Sequence, residues 1–313
     1  MRVYTHPACL DHQPGPGHPE CPARLQAVTG ALRAAFGTLD WHEAPLARRE
    51  AAERVHTTAL VDAIFDARFE GDALVRLDAD TAMSPASPEA ARRAAGAVVA
   101  AVDAVLGGTI RQAFCAVRPP GHHATRDSAM GFCLLNGIAI GAAHAVHAHG
   151  LTRVAVVDFD VHHGNGTQAI FAAEPRVAYL SSHQSPLYPG TGFEGEVGVG
   201  NVVNVPLPPR TGSAVFRDAL RARLLPAIDA FKPQLILISA GFDGHRLDPL
   251  ADLDLSAEDY RWLSAELADL AARHCGGKLV SVLEGGYSLT ALRECSVAHL
   301  RGLTADRNAA PRS

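Results

Sequence analysis

Short runs that are apolar or β-branched at nearly every position recur along the chain. They are Arg2–Thr5, Ala113–Val117, Val154–Val157, Val177–Ser181, Val202–Val205, Leu235–Ser239 and Leu279–Leu283. Runs of this length without polar alternation predict strands buried on both faces, as in a parallel sheet. Between them lie segments of helical pattern with recognisable ends. One covers Ala23–Phe36. An Ala-rich one is opened by Ser87 as N-cap and Pro88 as first helical residue, and is closed by Gly107 and Gly108. Others cover Asn136–His149, a short stretch reaching Phe171, and Ser213–Phe231 with a kink expected at Pro226. Ser256, with Asp259 three residues on, opens a helix that stops at Gly276 and Gly277, and Leu289–Leu303 closes the series. Strands alternating with helices predict an α/β protein: a three-layer α/β/α sandwich on a mostly parallel central sheet. No linker, composition shift or repeat divides it, so a single domain, 1–313, is expected.

Two loops interrupt the alternation. His6–Pro22, with His12, His18 and Glu20, reads either as a turn-rich crossing of the surface, the favoured reading, or as one wall of a site. Arg118–Asn136 is polar, irregular and flanked by core segments, which marks a functional loop.

Composition narrows the function. The 313 residues are 48% hydrophobic and carry a formal net charge of −5. No overall basic face attracts nucleic acid, and a cationic substrate is not repelled. The six cysteines, Cys9, Cys21, Cys115, Cys133, Cys275 and Cys295, have no C-x-x-C spacing, so reduced thiols are expected. The opening MRVYTHPACLDH lacks a signal-peptide core, and the apolar stretch Gly96–Leu106 is too short for a bilayer and is broken by Asp103. These features predict a cytoplasmic protein without a membrane partner. They leave the oligomeric state open.

The candidate chemistry centres on Val154–Gly166, VAVVDFDVHHGNG. A buried strand here runs into Asp158, Asp160, His162 and His163. Acids and imidazoles at the carboxyl end of such a strand are costly to desolvate without partners, and that end is where α/β sheets bind ligands. Residues two apart in extended chain face one side, so Asp160 and His162 can grip one cation. A lone buried histidine is more often a core residue than a ligand. Asp243, beyond another strand end, supplies a third donor and tips the balance for this pair. Three such ligands and one open position make a hydrolytic zinc site. The tandem His122–His123 fits a general base, with Asp158 and Asn165 left to orient the rings. Tyr287, after Gly285 and Gly286, fits a hydroxyl donor to an oxyanion. His163 is expected to bond behind the ligands. His6, His12, His144, His147 and His149 are expected at the surface or at caps, and Asp248, Asp252 and Asp254 in a solvated loop.

GHH, DFDVHHGNGTQ, PGTG, SAGFD…DPL and LEGGY, with HPECPARL before them, resemble the motif set of the zinc-dependent histone deacetylase family, its class II and bacterial members above all. The likeness runs from about His6 to Tyr287 with the motifs in family order. It implies the arginase–deacetylase fold, with zinc on Asp160, His162 and Asp243. It also implies His123 as general base and acid, His122 held by Asp158, and Tyr287 as the residue polarising the carbonyl. Gly131, Phe132 and Tyr188 fall where the family lines its acyl-lysine tunnel. The likeness further implies structural potassium at Asp158, Asp160, His162, Ser181 and Ser182, and a second potassium near Phe171 and Val177. Asn165 stands where class I members carry aspartate. The rim group that holds the substrate main chain is not aligned, with Met83 and Asp80 nearby. Leu250 lies where a polyamine-preferring relative carries a glutamate. The implied activity is hydrolysis of acetyl or related acyl groups from the ε-amine of lysine in a protein or peptide. The rival readings are an acetylpolyamine or other small N-acyl-amine amidohydrolase and a non-catalytic acyl-lysine binder.

Overall fold

The computed structural model describes residues 1–305; residues 306–313 of the expected domain lie outside the described residues. The strands in chain order are β1 (Arg2–Thr5), β2 (Asp40–Glu43), β3 (Val75–Arg76), β4 (Ala82–Met83), β5 (Gln112–Cys115), β6 (Val154–Asp158), β7 (Val177–Gln184), β8 (Val202–Leu207), β9 (Leu235–Ala240) and β10 (Leu279–Leu283). Eight form one sheet in the order β2-β1-β5-β10-β9-β6-β7-β8, parallel throughout, while β3 and β4 pair separately and antiparallel. The sheet register sets Val156 between Leu237 and Tyr179, and Val280 between Leu237 and Ala113. Every residue of β6, β9 and β10 is buried, as the unbroken apolar runs predict.

Helices cover the sheet. Ser87–Leu106 packs on Gly137–His149, while Ala257–Cys275 packs on Leu289–Thr304, which in turn meets Pro22–Ala35. The result is the expected α/β/α architecture. No helix among the described residues is long and apolar enough to cross a membrane.

The departures from the sequence reading have local causes. β2 was not anticipated: its DWHE is polar and only partly covered, as suits an edge strand. Ser87 is not the N-cap. It lies inside the helix, and its Oγ accepts the Ser84 N–H at 2.7 Å and meets His12 Nδ1 at 2.6 Å. Pro226 does not simply kink one helix. Ser213–Ala219 passes through a π-helical turn, Leu220–Leu224, before Leu225–Phe231, so Pro226 falls in a first turn that tolerates it. Ser256 and Asp259 form the expected capping box, with the Ser256 N–H on Asp259 Oδ2 at 2.9 Å. All six cysteines are free thiols.

Two histidines are built into this core in the neutral form. His299 is ringed by Phe114, Phe159 and Phe242, with Ser264 and Ser281 hydroxyls on its two nitrogens at 2.6 and 2.8 Å. Burial pushes it down to about 3. His56 meets the Thr125 carbonyl at 2.7 Å and accepts the Asn136 N–H at 2.9 Å, and burial, partly offset by that carbonyl, brings it to about 4. Below about pH 6.5 the unfolded chain protonates both rings while the folded chain does not. The unfolded state then binds more protons, so stability falls as pH drops through this window. Each ring costs about 1.4 kcal/mol per pH unit there. Replacing His299 by glutamine isolates one ring: between pH 7.5 and pH 5 the wild type is expected to lose about 2 kcal/mol more stability to urea than His299→Gln, and equal losses would contradict it.

Candidate active site

β5, β10, β9 and β6 are neighbours at the middle of the sheet, and the segments leaving their carboxyl ends carry the residues singled out above. Asp158 ends β6, with Asp160 and His162 just beyond. Asp243 follows β9 by three residues, and Glu284–Tyr287 follow β10. One donor atom each from Asp160, His162 and Asp243 lies within 4.8 Å of the others. His162 Nδ1 stands 3.2 Å from Asp160 Oδ1 and 3.1 Å from Asp243 Oδ2.

Main-chain donors fix both acids. Val161 N–H donates to Asp243 Oδ1 at 2.9 Å, His162 N–H to Asp160 Oδ1 at 2.9 Å, and Gly285 N–H to Asp160 Oδ2 at 2.7 Å. Gly285 is required for that approach, since a Cβ there would lie 2.1 Å from Asp243 Oδ2. Burial and the neighbouring Asp160 push Asp243 up to about 7. Burial lowers His162, but hydrogen bonds to both carboxylates outweigh it and raise the ring to about 10. Two fully buried carboxylates facing one imidazole make an excess of negative charge. A divalent cation would relieve it, with two oxygens and one nitrogen to hold it.

The tandem histidines are oriented separately. His122 Nδ1 donates to Asp158 Oδ2 at 3.0 Å, and the Tyr179 hydroxyl donates to the same oxygen at 3.1 Å. His123 Nδ1 donates to Asn165 Oδ1 at 2.8 Å, while Asn165 Nδ2 reaches Met130 Sδ at 3.4 Å. With its proton on Nδ1, His123 leaves Nε2 unprotonated. The ring centroids are 4.0 Å apart, and their environments pull the two apart in basicity. Burial disfavours charge on His122, but Asp158 and Asp160 outweigh it and raise the ring well above the usual histidine range. Burial, then the neighbouring His122 and His162, hold His123 well below it. One imidazole is therefore charged and the next is neutral and able to accept a proton.

Tyr287 is held from two sides, and this the sequence reading missed. Asp248 Oδ2 accepts its N–H at 2.6 Å and the Ser288 N–H at 3.2 Å. Asp248 is thus buried and structural, not solvated as expected; an acid just past a strand end, before proline, was the available signal. Opposite, the Arg24 guanidinium lies 4.9 Å over the Tyr287 ring and donates to the carbonyls of Gly286, at 2.6 Å, and Glu284. Arg24 pairs with Glu20, which also pairs with Arg118 and lies 3.3 Å from His12 Nε2. All four are buried. The His6–Pro22 loop is therefore a wall of the site and not only a surface crossing: its acid is shared by two buried guanidiniums, one of them packed on the tyrosine, and His12 is no surface residue. Glu284 accepts N–H groups of Gly121 and His122 at 2.7 and 3.2 Å, which ties the histidine loop to β10. Burial pushes its carboxyl up to about 7, against the pull of His122.

The remaining candidates sit around this centre. Gly131, at φ +56°, passes so close to His123 that a Cβ would lie 2.6 Å from Cδ2. Phe132 meets Tyr287 edge-on at 5.8 Å between centroids, and Tyr188 meets His123 edge-on at 5.2 Å. The Leu250 N–H donates to Asp248 Oδ1 at 3.1 Å. Met83 is fully buried and cannot form a rim. Asp80 is partly exposed, and its carbonyl meets His18, whose ring packs on Phe132. His163 bonds Thr191 and Gln168 behind the ligands, as expected. Ser181 Oγ bonds His183, whereas Ser182 Oγ is buried with no hydrogen-bond partner among the described residues.

Known proteins resemble this chain over most of its length. A histone deacetylase domain model matches residues 18–303. The chain is 39% identical to the histone deacetylase-like amidohydrolase of Pseudomonas aeruginosa, over 94% of this chain and 78% of that protein. It is 39% identical to a probable deacetylase of Archaeoglobus fulgidus, over 92% of this chain and 81% of the other. The crystal structure of the HDA15 HD domain superposes with a TM-score of 0.90 at 36% identity, covering 97% of this chain and 88% of that one. With a mostly parallel sheet that ends in paired histidines and a cluster of buried acids, the chain belongs to the histone deacetylase family and is a hydrolytic deacetylase.

Proposed function

We propose that this deacetylase removes acetyl or related acyl groups from the ε-amine of lysine in proteins or peptides. It does so as one catalytic domain working in a reducing, cytoplasmic setting, with a zinc ion held by Asp160, His162 and Asp243. The observation that carries the reading is the convergence of those three donors beside a neutral histidine whose free Nε2 is set by Asn165. When bound, zinc acts as a Lewis acid toward an acyl oxygen and lowers the pKa of water.

The protein groups divide the remaining work. His123 accepts a proton at Nε2 and returns it to the departing amine, its Nδ1–H anchored throughout by Asn165. His122, charged against Asp158, stabilises negative charge as it develops. The Tyr287 hydroxyl donates to the acyl oxygen, with Asp248 and Arg24 holding its main chain and ring. Phe132 and Tyr188 offer aromatic walls to a methylene chain, and Gly131 keeps the floor clear above His123. The partnerless Ser182 Oγ beside Ser181 and the end of β6 supports a structural potassium ion at Asp158, Asp160, His162, Ser181 and Ser182.

Turnover of acetyl-, longer acyl-lysine peptides and acetylputrescine by the metal-replete enzyme tests the substrate class. Faster hydrolysis of at least one acyl-lysine peptide is expected. Turnover of acetylputrescine with none of the peptides would overturn the lysine reading.

A further inference from the structure

The family likeness implies a second potassium ion near Phe171 and Val177, and the residues present do not fit one. The carbonyls of Phe171, Glu174 and Val177 converge there from the end of the helix Asn165–Phe171 and the turn that leads into β7. Such a set of main-chain oxygens, at the negative end of a helix, calls for positive charge or donated hydrogens. The Asn201 side chain supplies the hydrogens. Its Nδ2 lies 2.8 Å from Phe171 O, 3.1 Å from Glu174 O and 2.7 Å from Val177 O. The other end of the amide agrees with this orientation, since Oδ1 takes a share of the Val199 N–H at 3.1 Å, which also donates to the Ala172 carbonyl at 2.9 Å. A reversed amide would set an oxygen against three carbonyls and a nitrogen against a donor. Asn201 is buried and its own main chain is locked in the sheet, with its carbonyl accepting the Tyr179 N–H at 2.9 Å.

We infer that the Asn201 amide is a built-in replacement for the second monovalent cation. The place is closed to potassium, and this chain holds its helix end and β7 together without an ion there. The two amide hydrogens serve the three carbonyls, of which Glu174 O also accepts the Val177 N–H at 3.0 Å, and no desolvated ion is needed, so this part of the fold is indifferent to salt identity. The potassium position proposed beside Ser182 is separate from this one.

Asn201→Ala empties the cradle and exposes three carbonyls to whatever cation fits. Melting temperatures of the wild type and the variant are compared in 0.1 M NaCl and 0.1 M KCl. The variant is expected to be destabilised in sodium and to regain on the order of 3 °C in potassium beyond any gain of the wild type. Equal responses of the two proteins would overturn the inference. Should Asn201→Ala not fold, wild-type crystals grown with thallium(I) decide the point. Anomalous density is expected to be absent from the space bounded by Phe171, Glu174 and Val177 carbonyls, and a peak there would overturn it. The comparison is independent of the proposed substrate, because neither readout is activity.

Discussion

Substituting alanine for His123 is expected to lower kcat for an acetyl-lysine peptide by about 10³-fold, near 4 kcal/mol of transition-state stabilisation, with KM little changed. Among the described residues facing the site, His123 combines a neutral ring with an unprotonated nitrogen. His122 next to it is charged and donates to Asp158, and His162 faces two carboxylates. If the proton acceptor is lost, no neighbour is in the right protonation state to replace it. His122→Ala is expected to cost less, since it removes a charge and not the proton path. Steady-state kinetics on both variants, with circular dichroism to confirm folding, checks this. A His123→Ala enzyme within tenfold of wild type would remove His123 from the mechanism.

Tyr287→Phe removes one hydroxyl and leaves the ring that packs on Phe132 and under Arg24. Loss of a single preorganised donor to an oxyanion is worth about 10²- to 10³-fold in kcat, and that is the expected drop. The ring contacts persist, so the melting temperature should hold. Asp248→Ala should act in the same direction by roughly tenfold, because it frees the Tyr287 and Ser288 N–H groups without removing the hydroxyl. If Asp248→Ala matched Tyr287→Phe in stability and activity while Tyr287→Phe left kcat intact, the tyrosine would be a packing residue only.

How much of this could be read in advance follows from where each residue sits. The strands β6, β9 and β10 are buried on both faces, so their apolar runs show them directly, whereas β2 at the sheet edge has no such pattern. Asp160, His162 and Asp243 stand out because charged residues directly after an apolar strand are costly without a purpose. Asp248, Glu20 and Arg118 were opaque for the opposite reason. Asp248 is held by main-chain N–H groups, and Glu20 and Arg118 by each other across 98 residues of chain, and only the folded topology brings those together. His12 looked like a loop histidine because its burial depends on Ser87, in a helix 75 residues on, and on Glu20 at the far end of its own loop. Asn201 carried no signal at all, since its role is set by three carbonyls and not by any side-chain pattern.

The reading stands or falls on the ion between Asp160, His162 and Asp243. The most direct measurement follows hydrolysis of an acetyl-lysine peptide as metal is stripped by chelator, quantified by elemental analysis, and then returned as zinc. Activity is expected to fall in proportion to the metal lost, to return with zinc in the wild type, and not to return in Asp243→Ala. Undiminished hydrolysis by folded, metal-free protein would contradict the account.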